Sequence, residues 1–216
     1  MYTVTVLGVN YIVMEDSDLH SSVHKIGQDI QRTGKKYATI VALMSGGAAY
    51  ARYLRDKVHT PLYRTIGIDF YRKVRDLQSK DITKAKPNIY QPLSSAESIM
   101  EPILVVDDIS DTGETPKTAI EHLNENGFHD IDTATWVVKN KTSHWPNFYA
   151  VVVDAEDWVV FSWERREFIA DRLPEWRKSL SLEQIKDITT KEMKFDPRVF
   201  EDALMQSQTS EEVKGQ

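Results

Sequence analysis

Residues 103–115 read Ile-Leu-Val-Val-Asp-Asp-Ile-Ser-Asp-Thr-Gly-Glu-Thr, and no other stretch narrows the fold as far. Ile103 to Val106 is an unbroken apolar run, mostly β-branched. Such a run has no solvent face, which suits a strand buried on both sides of a parallel sheet. It ends abruptly on Asp107 and Asp108. Pro116, just beyond, suits the first turn of a helix, where its missing N–H is not needed. The acidic and hydroxyl residues therefore fall at the carboxyl end of a strand, just before a helix start. Open α/β sheets bind their ligands at that place.

The remaining apolar runs agree with such a sheet. Tyr2 to Val13 reads as one or two strands around Gly8. Ser17 is placed to cap a helix that carries Leu19, Val23, Ile26 and Ile30 on one face and stops at Gly34. Ala38 to Leu43 reads as a strand, followed by Ser45-Gly46-Gly47 and a helix from Ala48 to Lys57. Pro61 to Ile68 is a further strand, and Asp69 to Glu101 a long loop with room for a hairpin. A helix from Pro116 to Asn126 is closed by Gly127, and strands follow at Ile131 to Val138 and Ala150 to Val153. Strands alternating with helices predict an α/β fold with a doubly wound parallel sheet over residues 1–170. Residues 171–216 read as a helical tail. Ser181 with Gln184 suits a capping box, and Asp196-Pro197 starts a short helix with Val199, Phe200, Ala203 and Leu204. Gln206 to Gln216 is polar enough to be disordered. The tail reads as a helical appendage packed on the core or on a neighbouring subunit.

Composition sets outer limits. With 216 residues, 41% of them hydrophobic, the chain supports one sizeable core. A net charge of −6 argues against a general nucleic-acid binder. The absence of cysteine removes disulfides, thiol catalysis and thiolate metal sites. No apolar stretch approaches membrane-spanning length, and Met1-Tyr-Thr-Val lacks the opening of a secretory signal. A cytoplasmic protein with no membrane partner is expected.

The residue types at the motif suggest chemistry. Thr112, Gly113, Glu114 and Thr115 offer backbone N–H groups and two hydroxyls at the positive end of a helix, a cradle for a phosphate. Gly113 permits close approach or a positive φ. Asp107 and Asp108 repel each other unless something between them is cationic or donates hydrogen bonds. A magnesium-bound diol supplies both. Asp111 could take or hold a proton in the same pocket. A loop that merely caps a helix needs one Asp or Thr, not three aspartates and two threonines. No Gly-Lys-Ser/Thr follows, which excludes a P-loop.

Taken together, residues 103–115 resemble the phosphoribosyl pyrophosphate (PRPP) motif of type I phosphoribosyltransferases. The resemblance implies PRPP binding by Asp107, Asp108, Ser110, Thr112, Gly113, Glu114 and Thr115. The 5-phosphate would lie in the Thr112–Thr115 cradle, with the ribose hydroxyls, and through them Mg2+, on Asp107 and Asp108. Asp111 would be the catalytic residue. Ser45, Gly46 and Gly47 would form the pyrophosphate loop at the end of a neighbouring strand, although a Gly-Gly after a strand is by itself more often a tight turn. Related 6-oxopurine enzymes often carry Arg-Gly-Gly there. Ser45 brings no charge, so the grip must come from backbone N–H groups, magnesium or another cation.

Between Arg72 and Lys86, the cations Arg72, Lys73, Arg75, Lys80, Lys84 and Lys86 outnumber Asp76 and Asp81. This is either a solvated loop or a flexible lid over a polyanionic substrate, and the resemblance favours the lid. On their own, Lys139 reads as a snorkelling surface lysine and Trp158 as a core or interface aromatic. The likeness to xanthine–guanine and hypoxanthine–guanine phosphoribosyltransferases covers Tyr11 to Glu164. It implies that Trp158 stacks on a purine, Val159 offers backbone groups to the base edge and Lys139 meets O6. It also sets Glu164 near the metal. An ammonium at Lys139 opposes an exocyclic amino group, which selects 6-oxopurines over adenine. The six histidines form no ligand or triad pattern. The expected activity is transfer of the phosphoribosyl group of PRPP to guanine, xanthine or hypoxanthine, in a homodimer or homotetramer. Ser45 and the tail leave room for a PRPP-sensing regulator without catalysis. Lys139 with Trp158 argues against a pyrimidine or orotate enzyme.

Overall fold

The apolar runs become strands in the order the sequence suggests. In the computed structural model, residues 1–70, 87–93 and 98–214 are described. The chain runs β1 (Tyr2–Val6), β2 (Val9–Val13), α1 (Asp16–Thr33), β3 (Thr39–Met44), α2 (Gly46–Val58), β4 (Leu62–Phe70) and β5 (Pro87–Gln91). It continues through β6 (Ile103–Ser110), α3 (Glu114–Glu125), β7 (Ile131–Lys139), β8 (Phe148–Val153) and β9 (Trp158–Val160). It ends with α4 (Arg165–Trp176), α5 (Leu182–Asp187), a π-helical turn (Ile188–Glu192) and α6 (Pro197–Lys214). No described helix is long and apolar enough to cross a membrane. These elements form two compact units, Leu19–Ala155, and Met1–Asp18 with Glu156–Gln216.

The larger unit is built on a sheet of order β5-β4-β3-β6-β7-β8. Among the described residues every pairing in it is parallel except β4 with β5: a strand does lie in the long loop, but it pairs antiparallel with β4 and not with a second strand of the loop. Alternation along the strands sends two apolar sets to opposite faces. Val41, Leu43, Ile103 and Val105 share a core with Ala119 and Leu123 of α3. On the other face Trp136 of β7 stacks on Tyr50 of α2, centroids 5.5 Å apart. There α1 and α2 approach so closely that a Cβ on Gly27 would stand 2.3 Å from the Lys57 side chain. Helices on both faces of a mainly parallel sheet confirm the doubly wound α/β fold. Strand β8 is an edge, and Lys25 of α1 donates to its Tyr149 carbonyl at 2.7 Å. A lysine on an edge discourages pairing with another chain.

The smaller unit has a different core. β1 and β2 form an antiparallel hairpin, turned by Leu7 and Gly8, both at positive φ (50° and 82°). That is the two-residue turn whose twist matches the strands. β9 adds parallel to β2. Their inner face packs with α4 to α6: Val4, Val6, Tyr11, Val13 and Val160 join Phe168, Leu173, Trp176, Phe195 and Phe200. The capping box is present, Gln184 N–H donating to Ser181 Oγ and Ser181 N–H to the Gln184 side chain.

Two local expectations need correction. Helix α1 begins at Asp16, so Ser17 lies inside it, and it is Asp18 that reaches back to accept from the Glu15 N–H at 2.9 Å. Helix α6 is not short and runs to Lys214, through most of the stretch from Gln206 expected to be disordered. Polar as that stretch is, it holds no glycine or proline before Gly215 to stop a helix anchored by Phe200 and Ala203.

Candidate functional site

Strand order fixes where a ligand can enter. From β3 the chain passes through α2 to β4 on one side, while β6, reached later, lies on the other side of β3. The crevice beyond the carboxyl ends of β3 and β6 is thus a topological switch point. Ser45-Gly46-Gly47 follows β3 and the Asp107–Thr115 run ends β6, so both candidate loops arrive at that crevice.

The two loops are in contact, and the glycines are the reason they can be. A Cβ on Gly46 would stand 1.8 Å from Asp108 Oδ2. One on Gly47 would stand 2.8 Å from the Val106 carbonyl oxygen and 2.9 Å from Asp107 Oδ1. Real Cβ atoms do not approach so closely. The Met44–Ser45 peptide is cis, and Ser45 is exposed. Neither α2 nor α3 starts with a side-chain cap from Ser45 or Gly113. Helix starts carry first-turn N–H groups suited to an anion, and in α3 the Glu114 N–H donates to Thr112 Oγ1 at 3.4 Å. Gly113 has φ +86°, and a Cβ there would meet the His144 backbone nitrogen at 2.5 Å. The glycine is therefore needed both for its backbone conformation and for space. Thr112 and Thr115 are half-buried beside it.

The sequence reading missed what lies behind this loop. Ser143 donates to the Thr112 carbonyl from its N–H (2.9 Å) and its hydroxyl (2.7 Å). Ser110 is buried, and its hydroxyl is hydrogen-bonded to the Thr142 hydroxyl at 2.9 Å. The turn after β7 thus braces the loop after β6. Ser110 sits beneath the loop as part of that brace.

Asp107 and Asp108 are each only 8% exposed. Asp107 Oδ1 accepts from the Asp108 N–H at 3.0 Å, and Asp108 Oδ1 from the Ile109 N–H at 2.9 Å. Burial, then the neighbouring Asp108, pushes the Asp107 carboxyl well above the usual carboxylate range. Burial likewise raises Asp108 to about 6. Two buried carboxyls held near the sheet centre are suited to a ligand that brings positive charge or hydroxyl donors. No set of three or more His, Cys, Asp or Glu side chains among the described residues could hold a metal alone. The two carboxyls of Asp107 and Asp108 are the kind of oxygen donors that a Mg2+ ion takes beside waters and substrate oxygens.

Asp111 carries two cations. Lys139 Nζ stands 3.2 Å from its Oδ2, and Lys141 Nζ stands 3.2 Å from its Oδ1. The first pair follows from register: Ser110 lies opposite Val138, so the next residues, Asp111 and Lys139, meet at the same sheet edge. Lys139 is 8% exposed, not a snorkelling surface lysine. Lys141 was not singled out in the sequence. The only signal was the Lys-x-Lys spacing.

In the smaller unit, Trp158 is 40% exposed, and the Arg172 guanidinium lies 4.1 Å from its ring centroid. β9 is an edge strand, and the Val160 carbonyl accepts from the Met14 N–H on the β2 side. By alternation, the Val159 backbone N–H and C=O point off the free edge. Glu164 Oε1 accepts from the Phe161 N–H at 2.9 Å, closing the turn before α4. The cations from Arg72 to Lys86, and with them the expected lid, lie outside the described residues.

Known proteins share this fold. The fold resembles a purine phosphoribosyltransferase from Pyrococcus horikoshii, with 24% identity, a TM-score of 0.60, and coverage of 71% of this chain and 93% of that one. It also resembles a xanthine-guanine-hypoxanthine phosphoribosyltransferase from Helicobacter pylori, at 20% identity, TM-score 0.58, and 71% and 94% coverage. A hypothetical protein from Neisseria gonorrhoeae with bound ppGpp is similar at 21% identity, TM-score 0.60, and 71% and 89% coverage. No curated protein matches the sequence. The family model for the phosphoribosyl transferase domain matches residues 17–166, which hold every loop of the switch-point crevice, and the chain belongs to that family.

Proposed function

We propose that this chain transfers the phosphoribosyl group of PRPP to a 6-oxopurine, giving the nucleoside 5'-monophosphate and pyrophosphate. The observation that supports this most is the contact of Gly46 and Gly47 with Asp108 and Asp107. It brings the loop proposed to take pyrophosphate directly beside a pair of buried carboxyls. The 5-phosphate takes the N–H groups and hydroxyls of Thr112 to Thr115. Asp107 and Asp108 hold the two ribose hydroxyls and, mainly through them, would hold Mg2+. When bound, Mg2+ would supply positive charge to offset that on the pyrophosphate. Pyrophosphate leaves toward Ser45–Gly47. The carboxylates stabilise the positive charge that develops on the ribose. N9 of the base attacks the anomeric carbon, Asp111 handles the proton at N7, and Lys139 donates to O6. Trp158 offers a ring face to the purine, and Val159 its backbone groups to the base edge. Glu164, whose carboxylate serves the turn before α4, is the weakest of the assigned metal neighbours. A cytoplasmic homodimer or homotetramer is the proposed form, to be checked by sedimentation.

The test is pyrophosphate release from PRPP and magnesium with guanine, xanthine, hypoxanthine, adenine or orotate in turn. Release with 6-oxopurines alone is expected. Tight PRPP binding with no release for any base would make the protein a PRPP-binding regulator. Asp111→Asn should lower kcat far more than PRPP affinity, and unchanged turnover would remove Asp111 from the chemistry.

A further inference from the structure

The Asp111 carboxylate is held from both sides, and only one side belongs to the residues assigned above. Lys139 Nζ is 3.2 Å from Oδ2 and Lys141 Nζ is 3.2 Å from Oδ1. We propose that Lys141 is a positioning residue that fixes the rotation of the Asp111 carboxylate, so that Oδ2 stays beside Lys139 when a base binds. This rests on the proposed function.

A 6-oxopurine presents O6 and N7 side by side on one edge. With a proton on N7, that edge is an acceptor next to a donor. The Lys139 ammonium next to Asp111 Oδ2 is a donor next to an acceptor, the complementary pair. Forming the contact to O6 draws on the same ammonium that steadies Oδ2. Asp111 stands on a loop with its side chain 43% exposed, so a carboxylate held only by Lys139 could turn toward water as the base arrives. Lys141 prevents this by holding the other oxygen.

The turn that carries Lys141 is built to do so. The Asn140 N–H donates to the Val153 carbonyl at 3.0 Å, and Asn140 Nδ2 to Asp154 Oδ1 at 2.9 Å. The Thr142 N–H closes back on the Lys139 carbonyl at 3.0 Å. Lys141, 44% exposed at its side chain, is thus fixed at the backbone on both sides while its own chain reaches Asp111. An exposed ion pair contributes little to stability, so its removal should be felt in orientation and not in folding.

The test compares wild type, Lys141→Met and Lys141→Arg for steady-state kinetics, melting temperature, and calorimetric binding of free hypoxanthine, which can carry a proton on N7, in the presence of magnesium pyrophosphate. The Met variant is expected to lose up to about fivefold in kcat, the upper scale of an exposed ion pair. Its KM for PRPP and its melting temperature should match wild type, and Lys141→Arg should recover most of the rate. Equal kcat in all three proteins overturns the proposal, as does a loss that Arg does not restore. If wild type turns over no base, the functional reading fails separately. Hypoxanthine binding then decides: weaker binding in Met restored in Arg supports the positioning role, and equal binding in all three ends it.

Discussion

Replacing Asp108 by asparagine should make the ligand-free protein more stable, although it removes a residue assigned to substrate. Asp108 is 8% exposed, and burial raises its carboxyl from 3.8 to about 6. A group held above its unfolded value binds protons more tightly in the folded state. The folded protein therefore loses stability as pH rises from about 4 to above 6, and the full cost is present at pH 8. At about 1.4 kcal/mol per tenfold change in proton affinity, that cost is roughly 3 kcal/mol. Asparagine has no carboxyl to ionise, and it keeps an oxygen to accept from the Ile109 N–H that Asp108 Oδ1 now engages. The variant should thus be more stable by up to about 3 kcal/mol at pH 8 and equal to wild type near pH 4. For a chain of this length, about 3 kcal/mol corresponds to roughly 6–12 °C in melting temperature. Thermal unfolding without ligand, followed from pH 4 to 8, measures the difference. Adding PRPP and magnesium should reverse the order, because a ligand at a thousand times its Kd stabilises by about 4.1 kcal/mol and the variant would bind it poorly. A variant equal to or less stable than wild type at pH 8 would refute the reasoning, since Asp108 would then be ionised in the folded state at no cost.

The neighbouring glycines give sharper steric tests. Gly46→Ala sets a methyl 1.8 Å from Asp108 Oδ2, so denaturant unfolding should show a loss of about 1–3 kcal/mol. That loss should shrink in an Asp108→Ala background, where the clash is absent. Gly113→Ala combines the φ of +86° with a Cβ 2.5 Å from the His144 nitrogen, and should cost about 3 kcal/mol or more and abolish PRPP binding by calorimetry. Arg172→Ala uncovers one face of Trp158, where the guanidinium stands 4.1 Å from the ring centroid. It should cost no more than about 1 kcal/mol in stability and raise KM for the base without changing KM for PRPP, as read by pyrophosphate release.

The larger unit was legible because its strands are buried on both faces. Ile103 to Val106 needs no knowledge of its neighbours to read as central, and the structure leaves those four residues at most 1% exposed. The smaller unit was not legible in the same way. Its core joins Val4 to Val13 with Val160 and with residues as far on as Phe200 and Ala203. Local periodicity says nothing about which distant segment covers a face, and β9 has only three residues to show a pattern. For the same reason the tail could be read as helical without any indication of what it packs on. Lys141 was invisible for a related cause. Its ion pair depends on the parallel register of β6 against β7 and on the turn closed by Thr142, both products of tertiary structure.

The residues that were legible are those that break local rules. A central strand has no local reason to end in two acids, and the fold holds both buried with raised proton affinities. Gly46 and Gly47 lie in the first turn of α2, where glycine weakens a helix, and each occupies space that any side chain would fill against Asp108 or Asp107. Gly113 departs from right-handed backbone at the start of α3. These departures fall in one crevice, at the strand ends where the chain reverses its direction across the sheet. Conflicts between local preference and overall fold lower stability, so their concentration in one place implies a function that requires them. Lys141 breaks no rule, being an exposed lysine in a turn. A role for such a residue is found by following what the rule-breaking residues touch.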